Sequence, residues 1–203
     1  MIAQRLPAKR AAGDHTIAYV APELVEALVA IEPFDERRAA VKEVALFLAR
    51  ALPDLAERSS LPVHATASVL IVDPPAERVL LVWHPKFERW LQPGGHCDGD
   101  PDVRSVARRE AREGTGLELR LPEAPFDVDL HPGEPSGDPH MHLDVKFVAR
   151  LENAGELRSP EGLELRWVAP EELVGSDLEE AVRWAIVDSN HGPPPYQSGA
   201  LTD

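Results

Sequence analysis

Cysteine is nearly absent from this 203-residue chain, since Cys97 is the single one and no internal disulfide can form. That excludes a disulfide-stapled scaffold and is consistent with a reducing compartment. Apolar runs are short as well, and none approaches the roughly 18 residues that a membrane-spanning helix needs. The first ten residues, MIAQRLPAKR, lack the apolar stretch of a signal peptide. We therefore expect a soluble, cytoplasmic protein with no membrane partner.

Positive charge is also in short supply. Lys and Arg number 21 against 35 Asp and Glu, which gives a formal net charge of −14. Such a field repels polyphosphate backbones, so stable binding of nucleic acid is not expected. A small phosphorylated ligand is still allowed, because charges are screened beyond about 8 Å at physiological salt and a bound divalent cation reverses the local sign.

The apolar content, 43% of the residues, is sufficient for the core of one compact domain. Two helices are predicted near the N-terminus, at 22–31 and 35–52, and Asp35 is the expected N-cap of the second. We therefore divide the chain into a helical N-terminal extension (1–60), a domain (61–189) and a mobile tail. The tail comprises residues 190–203.

Strands and single helices alternate in the predicted domain. A β-hairpin is expected from strands at 64–72 and 78–84, and the linker 131–139 is too rich in Pro and Gly for regular structure. Further strands are predicted at 126–130, 141–149 and 164–168, followed by helices at 170–173 and 177–187. This alternation favours an α/β or α+β sandwich, with the linker as a loop at the rim of the active site.

The most informative stretch runs from Gly94 to Leu117 and reads GGHCDGDPDVRSVARREAREGTGL. A glycine pair leads into a predicted helix with Asp100 as N-cap, Pro101 at its first position and a stop at Thr115-Gly116. Gly114 is a poor helix residue, so the helix ends early at Glu113 or the glycine is only a cap.

Two carboxylates of this helix are placed for metal binding. Glu110 and Glu113 are three residues apart, so they share one face and can hold oxygen-loving cations such as Mg²⁺ or Mn²⁺. The alternative interpretation is an ordinary solvated charged face. The glycine pair before the helix and the Thr-Gly-Leu after it favour the metal site.

The stretch resembles the box of the Nudix hydrolases, G-x5-E-x7-R-E-U-x-E-E-x-G-U, where U is aliphatic. When the pattern is aligned on Gly95, its first glutamate falls on Pro101 and its last on Gly114. The remaining specified positions fit: Arg109, Glu110, Glu113, Gly116 and Leu117.

The resemblance implies an α/β/α sandwich with a mixed sheet, here with the helical N-terminal extension. It implies a hydrolase of a nucleoside diphosphate linked to another group, with Glu110 and Glu113 as catalytic metal ligands. The backbone carbonyl of Gly94 would add a ligand, and Arg109 would orient a carboxylate. Members of the family are often dimers, and the N-terminal helices are a candidate contact for a homodimer.

The departure at Gly114 removes a metal carboxylate, which leaves two hypotheses. The chain is a metal-dependent pyrophosphohydrolase of reduced activity, or it has lost efficient hydrolysis and binds a nucleotide or a protein partner. A third reading makes the glycines and carboxylates purely structural. At Pro101 the loss can be offset, because Asp98, Asp100 or Asp102 can pair with Arg109 as the family's glutamate does.

A second set of polar residues, His140-x-His142-x-Asp144, lies in a predicted strand. Alternation places the three on one face, where they can ligate a metal or contact a phosphate. The alternative is the solvent face of a half-buried strand, unless helices cover both faces of the sheet and the row lines a cavity.

Other candidate substrate contacts lie just before and within the glycine turn. Lys86, Arg89 and Trp90 can hold a phosphate and stack a base, although such aromatics more often pack in the core. His96 follows the glycine pair and is either a substrate contact or a turn residue. Cys97 has no companion for a zinc site and is interpreted as incidental.

Overall fold

The computed structural model describes residues 21–133, 138–153, 157–176 and 178–191, except for the side chains of 188–191. Within them the α-helices are α1 (Pro22–Ala30), α2 (Glu36–Ala51), α3 (Val103–Thr115) and α4 (Glu179–His191), and a 3₁₀ turn spans Pro170–Leu173. The strands are β1 (Val63–Val72), β2 (Val79–His84), β3 (Arg89–Leu91), β4 (Gly94–His96), β5 (Asp127–Pro132), β6 (Met141–Arg150) and β7 (Leu165–Val168). None of the described helices is long and apolar enough to span a bilayer.

All of these strands join one mixed sheet. The central pair, β1 and β6, is parallel, whereas β5 pairs antiparallel with β6 and β2 with β1. Strand β4 continues the β2 edge of β1, and β3 and β7 flank β2. The predicted hairpin and mixed sheet are confirmed.

Helices cover both faces of the sheet. Apolar residues of α1, α2 and α3 share one buried cluster with the odd-numbered residues of β1, such as Ala65 and Val69. On the other face, α4 packs through Val182 and Ala185 against Leu70 of the same strand. The predicted sandwich of helix, sheet and helix is therefore present.

The N-terminal helices belong to the same core as the sheet. Leu24 and Leu28 of α1 and Ala45 of α2 are fully buried in the cluster that contains Val63. The division into an extension (1–60) and a domain stays a prediction, and residues 1–20 lie outside the described chain.

Helix α3 begins later than expected. Its N-cap is Asp102, whose carboxylate accepts the N–H of Ser105 at 3.1 Å, and Pro101 lies before the helix. Asp100 instead accepts the N–H of Asp102 at 3.0 Å, which fixes the turn. Asp100 and Pro101 therefore both lie in the loop before the helix, and the predictions of Asp100 as N-cap and Pro101 as the first helical residue were wrong.

Helix α3 does not end early at Glu113, which was one of the two alternatives for Gly114. Gly114 is helical, the helix continues to Thr115, and Gly116 follows at φ 75° as the left-handed cap. A Cβ at position 116 would lie 2.5 Å from the carbonyl oxygen of Arg158, so both the φ angle and the space require glycine there.

Two other boundaries moved. β5 extends to Pro132, because residues 131 and 132 pair with β6, so the predicted linker starts later; residues 134–137 lie outside the described chain. Helix α4 runs to His191, and the remainder of the predicted tail also lies outside.

A buried ion pair connects α2 to the sheet edge. Arg38 is 4% exposed, and its Nη1 lies 2.9 Å from Oδ2 of Asp127, a β5 residue that is 2% exposed. Burial raises the pKa of Asp127, while the charges of Lys146 and Arg38 oppose that rise. The buried carboxylate therefore depends on these cations.

We predict that Arg38→Met lowers the free energy of unfolding by about 3 to 5 kcal/mol, because Asp127 loses its closest cation inside the fold. Arg37→Met is the matched control: that side chain is 72% exposed and pairs with Glu180, which is itself 43% exposed, so the loss should stay below about 1 kcal/mol. Urea denaturation measures both values, and equal losses would contradict the assigned role of the buried pair.

Candidate functional site

Strand register assembles a polar surface on the α4 face of the sheet. In β1, β6 and β5 the residues at matching positions form three rows: His64, His142 and His131; Thr66, Asp144 and Asp129; Ser68, Lys146 and Asp127. We call these nine residues the polar grid. Alternation along each strand sends all nine to one face, because the intervening residues belong to the opposite core.

Seven of the nine grid residues are buried, and Asp129 and His131 are half-buried, so protein groups rather than bulk water must supply most of the polar contacts. Asp144 accepts hydrogen bonds from Thr66 Oγ1 at 3.0 Å and from Ser68 Oγ at 2.7 Å. Lys146 Nζ lies 3.8 Å from Asp144 and 3.5 Å from Asp129. Burial excludes the solvent-face interpretation for His142 and Asp144, whereas His140 is half-buried.

Beside the grid, the glycine pair allows a close approach of helix α3. A Cβ on Gly95 would lie 2.2 Å from Oε2 of Glu110, and one on Gly94 would lie 2.8 Å from the carbonyl oxygen of Ala67. Gly94 thus lets β4 pair with β1, and Gly95 leaves the space that the Glu110 carboxylate fills.

The Glu110 carboxylate is held by its neighbour in sequence. Arg109 Nη2 donates to Glu110 Oε1 at 3.0 Å and to the carbonyl oxygen of His96 at 3.2 Å. Burial raises the pKa of Glu110, and the charges of Glu113 and Glu161 add to the rise, while Arg109 opposes it. Glu113 and Glu161 therefore lie close enough to affect the Glu110 carboxylate.

Asp98, Asp100 and Asp102, which were expected to replace the family's glutamate at Pro101, each make other contacts in the structure. Asp98 forms a two-point pair with Arg58 at 2.8 and 3.0 Å, and Asp102 caps α3. Asp100 holds the turn before the helix. Asp98 and Asp102 therefore have other partners, and the expectation that Asp98, Asp100 or Asp102 pairs with Arg109 stays a prediction.

A cavity of about 850 Å³ lies between the grid and the glycine turn. Its walls include Glu110 and Gly114 of α3, the start of α4, and the loop 85–87 between β2 and β3. Most of the polar grid forms the floor of the cavity, so the Glu110 carboxylate and the imidazole of His142 border the same space.

Six of the predicted site residues border this cavity and four do not. Those that do are Gly94, Lys86, Arg89, His96, Glu110 and His142. The other four, Arg109, Glu113, Trp90 and His140, are not among the residues that line the cavity. Trp90 packs on the α4-side core and meets Trp83 edge-on at 5.6 Å, which is the core-packing alternative for that aromatic residue.

Sequence reasoning missed several residues that the fold brings to this place. His64 comes from β1 and Glu161 from the loop before β7, far from the box in sequence. The alternation His64-x-Thr66-x-Ser68 was an available signal for a polar strand face, whereas Glu161 carries no local signal. Cys97 is 1% exposed and its burial raises the pKa of the thiol to about 12, so it is inert as a nucleophile.

Comparison with solved structures agrees with the architecture. The dihydroneopterin triphosphate pyrophosphohydrolase of E. coli superposes with a TM-score of 0.52 at 15% identity, covering 61% of this chain and 95% of that one. A NUDIX-family hydrolase of Clostridium perfringens gives 0.46 at 25% identity, with coverage of 61% and 94%. An Ap4A hydrolase of C. elegans in a binary complex gives 0.46 at 18%, with coverage of 59% and 92%.

No protein of curated function matched the sequence. The family model of the NUDIX domain, however, matches residues 62–187, which is more than half of the chain and includes the sheet, the glycine turn and α3. The chain therefore belongs to the NUDIX domain family.

Proposed function

We propose that this protein is a divalent-metal-dependent hydrolase of a nucleoside diphosphate linked to another group. The observation that carries the proposal is the Glu110 carboxylate, which fills the space left by Gly95 and faces the cavity. In hydrolysis, water attacks one phosphorus atom, the bridging P–O bond breaks, and two phosphorylated products leave.

The residues present suit a hard divalent cation. Glu110 is 20% exposed, and its pKa is raised by burial and by neighbouring carboxylates, a situation that a bound cation relieves. We assign Glu110, Glu113 and the Gly94 carbonyl to holding Mg²⁺ or Mn²⁺. When bound, such an ion neutralises charge that develops on the phosphoryl oxygens.

We assign separate tasks to the side chains around the ion site. Arg109 is a positioning residue, because it fixes the Glu110 carboxylate between its own guanidinium and Gly95. Glu110 is also suited to accept a proton from the attacking water, since a raised pKa brings a carboxylate closer to neutral pH. Glu161 adds a third carboxylate at the wall of the cavity.

Support for a nucleotide-like substrate comes from the cavity itself. Its volume falls within the range of roughly 300 to 1,000 Å³ typical of small-molecule sites. Basic side chains gather on its wall in an otherwise acidic protein, including Arg58, Lys86 and Arg89, with Phe87 beside them. The basic groups suit phosphates and the aromatic ring suits a base.

A homodimer through the N-terminal helices remains part of the proposal. Three apolar side chains are exposed there: Val29 of α1 and Val44 and Phe47 of α2, the last at 69%. We also propose that the acidic surface keeps the protein from binding nucleic acid stably.

We predict that purified protein with Mg²⁺ or Mn²⁺ turns over at least one compound from a panel of nucleotide sugars, dinucleoside polyphosphates and NAD-like molecules. Glu110→Gln and Glu113→Gln should lower kcat by about a hundredfold or more, because each removes a charged ligand. Glu118→Gln, an exposed change just past the same helix, is the control and should retain the rate. Absence of turnover across the panel would reject the proposed hydrolysis.

Two glycine substitutions test the carboxylate position itself. Gly95→Ala should lower kcat by about a hundredfold, because the new Cβ displaces the Glu110 carboxylate. At Gly114 a Cβ would meet only Pro93 and Val82 at 3.9 Å, an ordinary contact, so Gly114→Ala should cost far less activity. Steady-state kinetics measures both, and equal losses would contradict the assigned role of Gly95.

The second candidate function is a domain that binds a nucleotide or a protein partner without efficient hydrolysis. Gly114 favours it, because this residue lines the cavity where the family pattern has a glutamate.

We predict that Gly114→Glu raises turnover, by about tenfold or more, since it restores a carboxylate at a position with room for a side chain. Gly114→Gln, of equal size without the charge, is the control. An inactive wild-type protein with an active Gly114→Glu variant would support the binding domain. Equal rates for the wild type and both variants would show that this glycine does not limit hydrolysis.

A further inference from the structure

Imidazoles converge at one end of the polar grid. The strand register places His64 of β1 beside His142 of β6, and His142 beside His131 of β5. His140 and His96 join them, with ring centroids 4.9 and 5.1 Å from that of His64. Five imidazoles therefore lie close together, and two of them, His64 and His142, are buried.

We propose that His64, His140 and His142 bind a divalent transition metal of the zinc class, at a site separate from the carboxylates of Glu110 and Glu113. Imidazole nitrogens suit Zn²⁺ and similar ions, whereas Mg²⁺ and Mn²⁺ prefer oxygen. The inference does not depend on hydrolysis and extends the proposed function by a second metal.

The spacing of the ligand atoms fits a tetrahedral ion. One ring nitrogen from each histidine lies within 4.8 Å of the others, and Nε2 of His140 and Nε2 of His142 are 3.3 Å apart. At zinc–nitrogen distances of 2.0 to 2.1 Å, tetrahedral geometry requires a separation of about 3.3 Å. One edge of the site is therefore already at the required length, and modest ring rotations close the others.

Backbone carbonyls orient two of the rings for binding. His64 Nδ1 donates to the carbonyl oxygen of Ser60 at 3.2 Å, and His140 Nδ1 donates to that of Asp138 at 2.8 Å. Because a carbonyl only accepts, both rings carry a proton on Nδ1, and in a neutral ring this leaves the lone pair of Nε2 for a metal ion. Metal-bound histidines typically have this kind of second contact.

The Nε2 atom of His64 supplies an independent indication. His64 is 2% exposed, and within the described residues its Nε2 has no hydrogen-bond partner. A buried acceptor without a partner is unfavourable, and a metal ion in the cluster would supply the missing contact.

A metal at this place has access to the substrate cavity. Three protein ligands leave the fourth tetrahedral position open. His142, His96 and His131 line the cavity, so that position is available to water or to an anionic ligand.

Metal-free full-length protein, kept in excess Mg²⁺ so that oxygen sites are filled, would be titrated with Zn²⁺ by calorimetry and with Co²⁺ by visible absorption. We expect one equivalent of either ion per chain and the intense spectrum of tetrahedral cobalt. His140→Ala and His142→Ala should each lower the affinity at least about tenfold. Neither measurement requires activity.

Two controls separate this site from other ligands of the chain. His84→Ala removes a histidine that contacts Phe87 outside the cluster, and Glu110→Gln removes a carboxylate; both should retain the ion. Gly133→Ala tests the geometry without deleting a ligand, because its Cβ would lie 2.1 Å from His140 Nε2 and should weaken binding.

Circular dichroism identifies variants that fail to fold. If His142→Ala does not fold, His140→Ala provides the test, because His140 is half-buried and lies just before β6. The proposal is overturned if the wild type binds no transition metal in excess Mg²⁺. It is equally overturned if folded His140→Ala and Gly133→Ala bind as the wild type does, or if Glu110→Gln abolishes binding.

Discussion

The register between β1 and β6 is the constraint on which the rest of this structure depends. Parallel pairing over ten positions aligns His64 with His142, Thr66 with Asp144 and Ser68 with Lys146. A slip of one residue would turn these polar side chains into the apolar core and send Ala65 and Val69 outward. The cost of burying unpaired polar groups fixes the register, and the register in turn builds the floor of the cavity.

Close backbone approach is the second requirement, and it acts at β4. This short strand pairs with β1 at Gly94, where a larger residue would collide with the neighbouring backbone. Gly95 then admits the Glu110 carboxylate, so one pair of small residues brings helix α3 to the edge of the polar grid. The site therefore depends on the small size of Gly94 and Gly95 as much as on its charged groups.

A buried ion pair connects helix α2 to the polar grid. Arg38 reaches from α2 to Asp127 at one corner of the grid, where Lys146 supplies the other nearby cation. Without these cations the aspartates of β5 would be costly to bury. Although the whole chain has a formal net charge of −14, the acidic residues at this place are balanced locally by specific cations.

The sequence by itself determined the hairpin, the box helix with its Gly116 stop, the mixed α/β architecture and the family, because these follow from short-range periodicity and local spacing. The predicted start of α3 was wrong, because Asp100 and Asp102, two residues apart, are both suitable N-caps and only the chain geometry selects Asp102. Tertiary structure alone decided that His64 meets His140 and His142, that Glu161 stands near Glu110, and that Arg38 pairs with Asp127. Those contacts join residues far apart in sequence, so they depend on strand order and loop path, which local patterns do not encode.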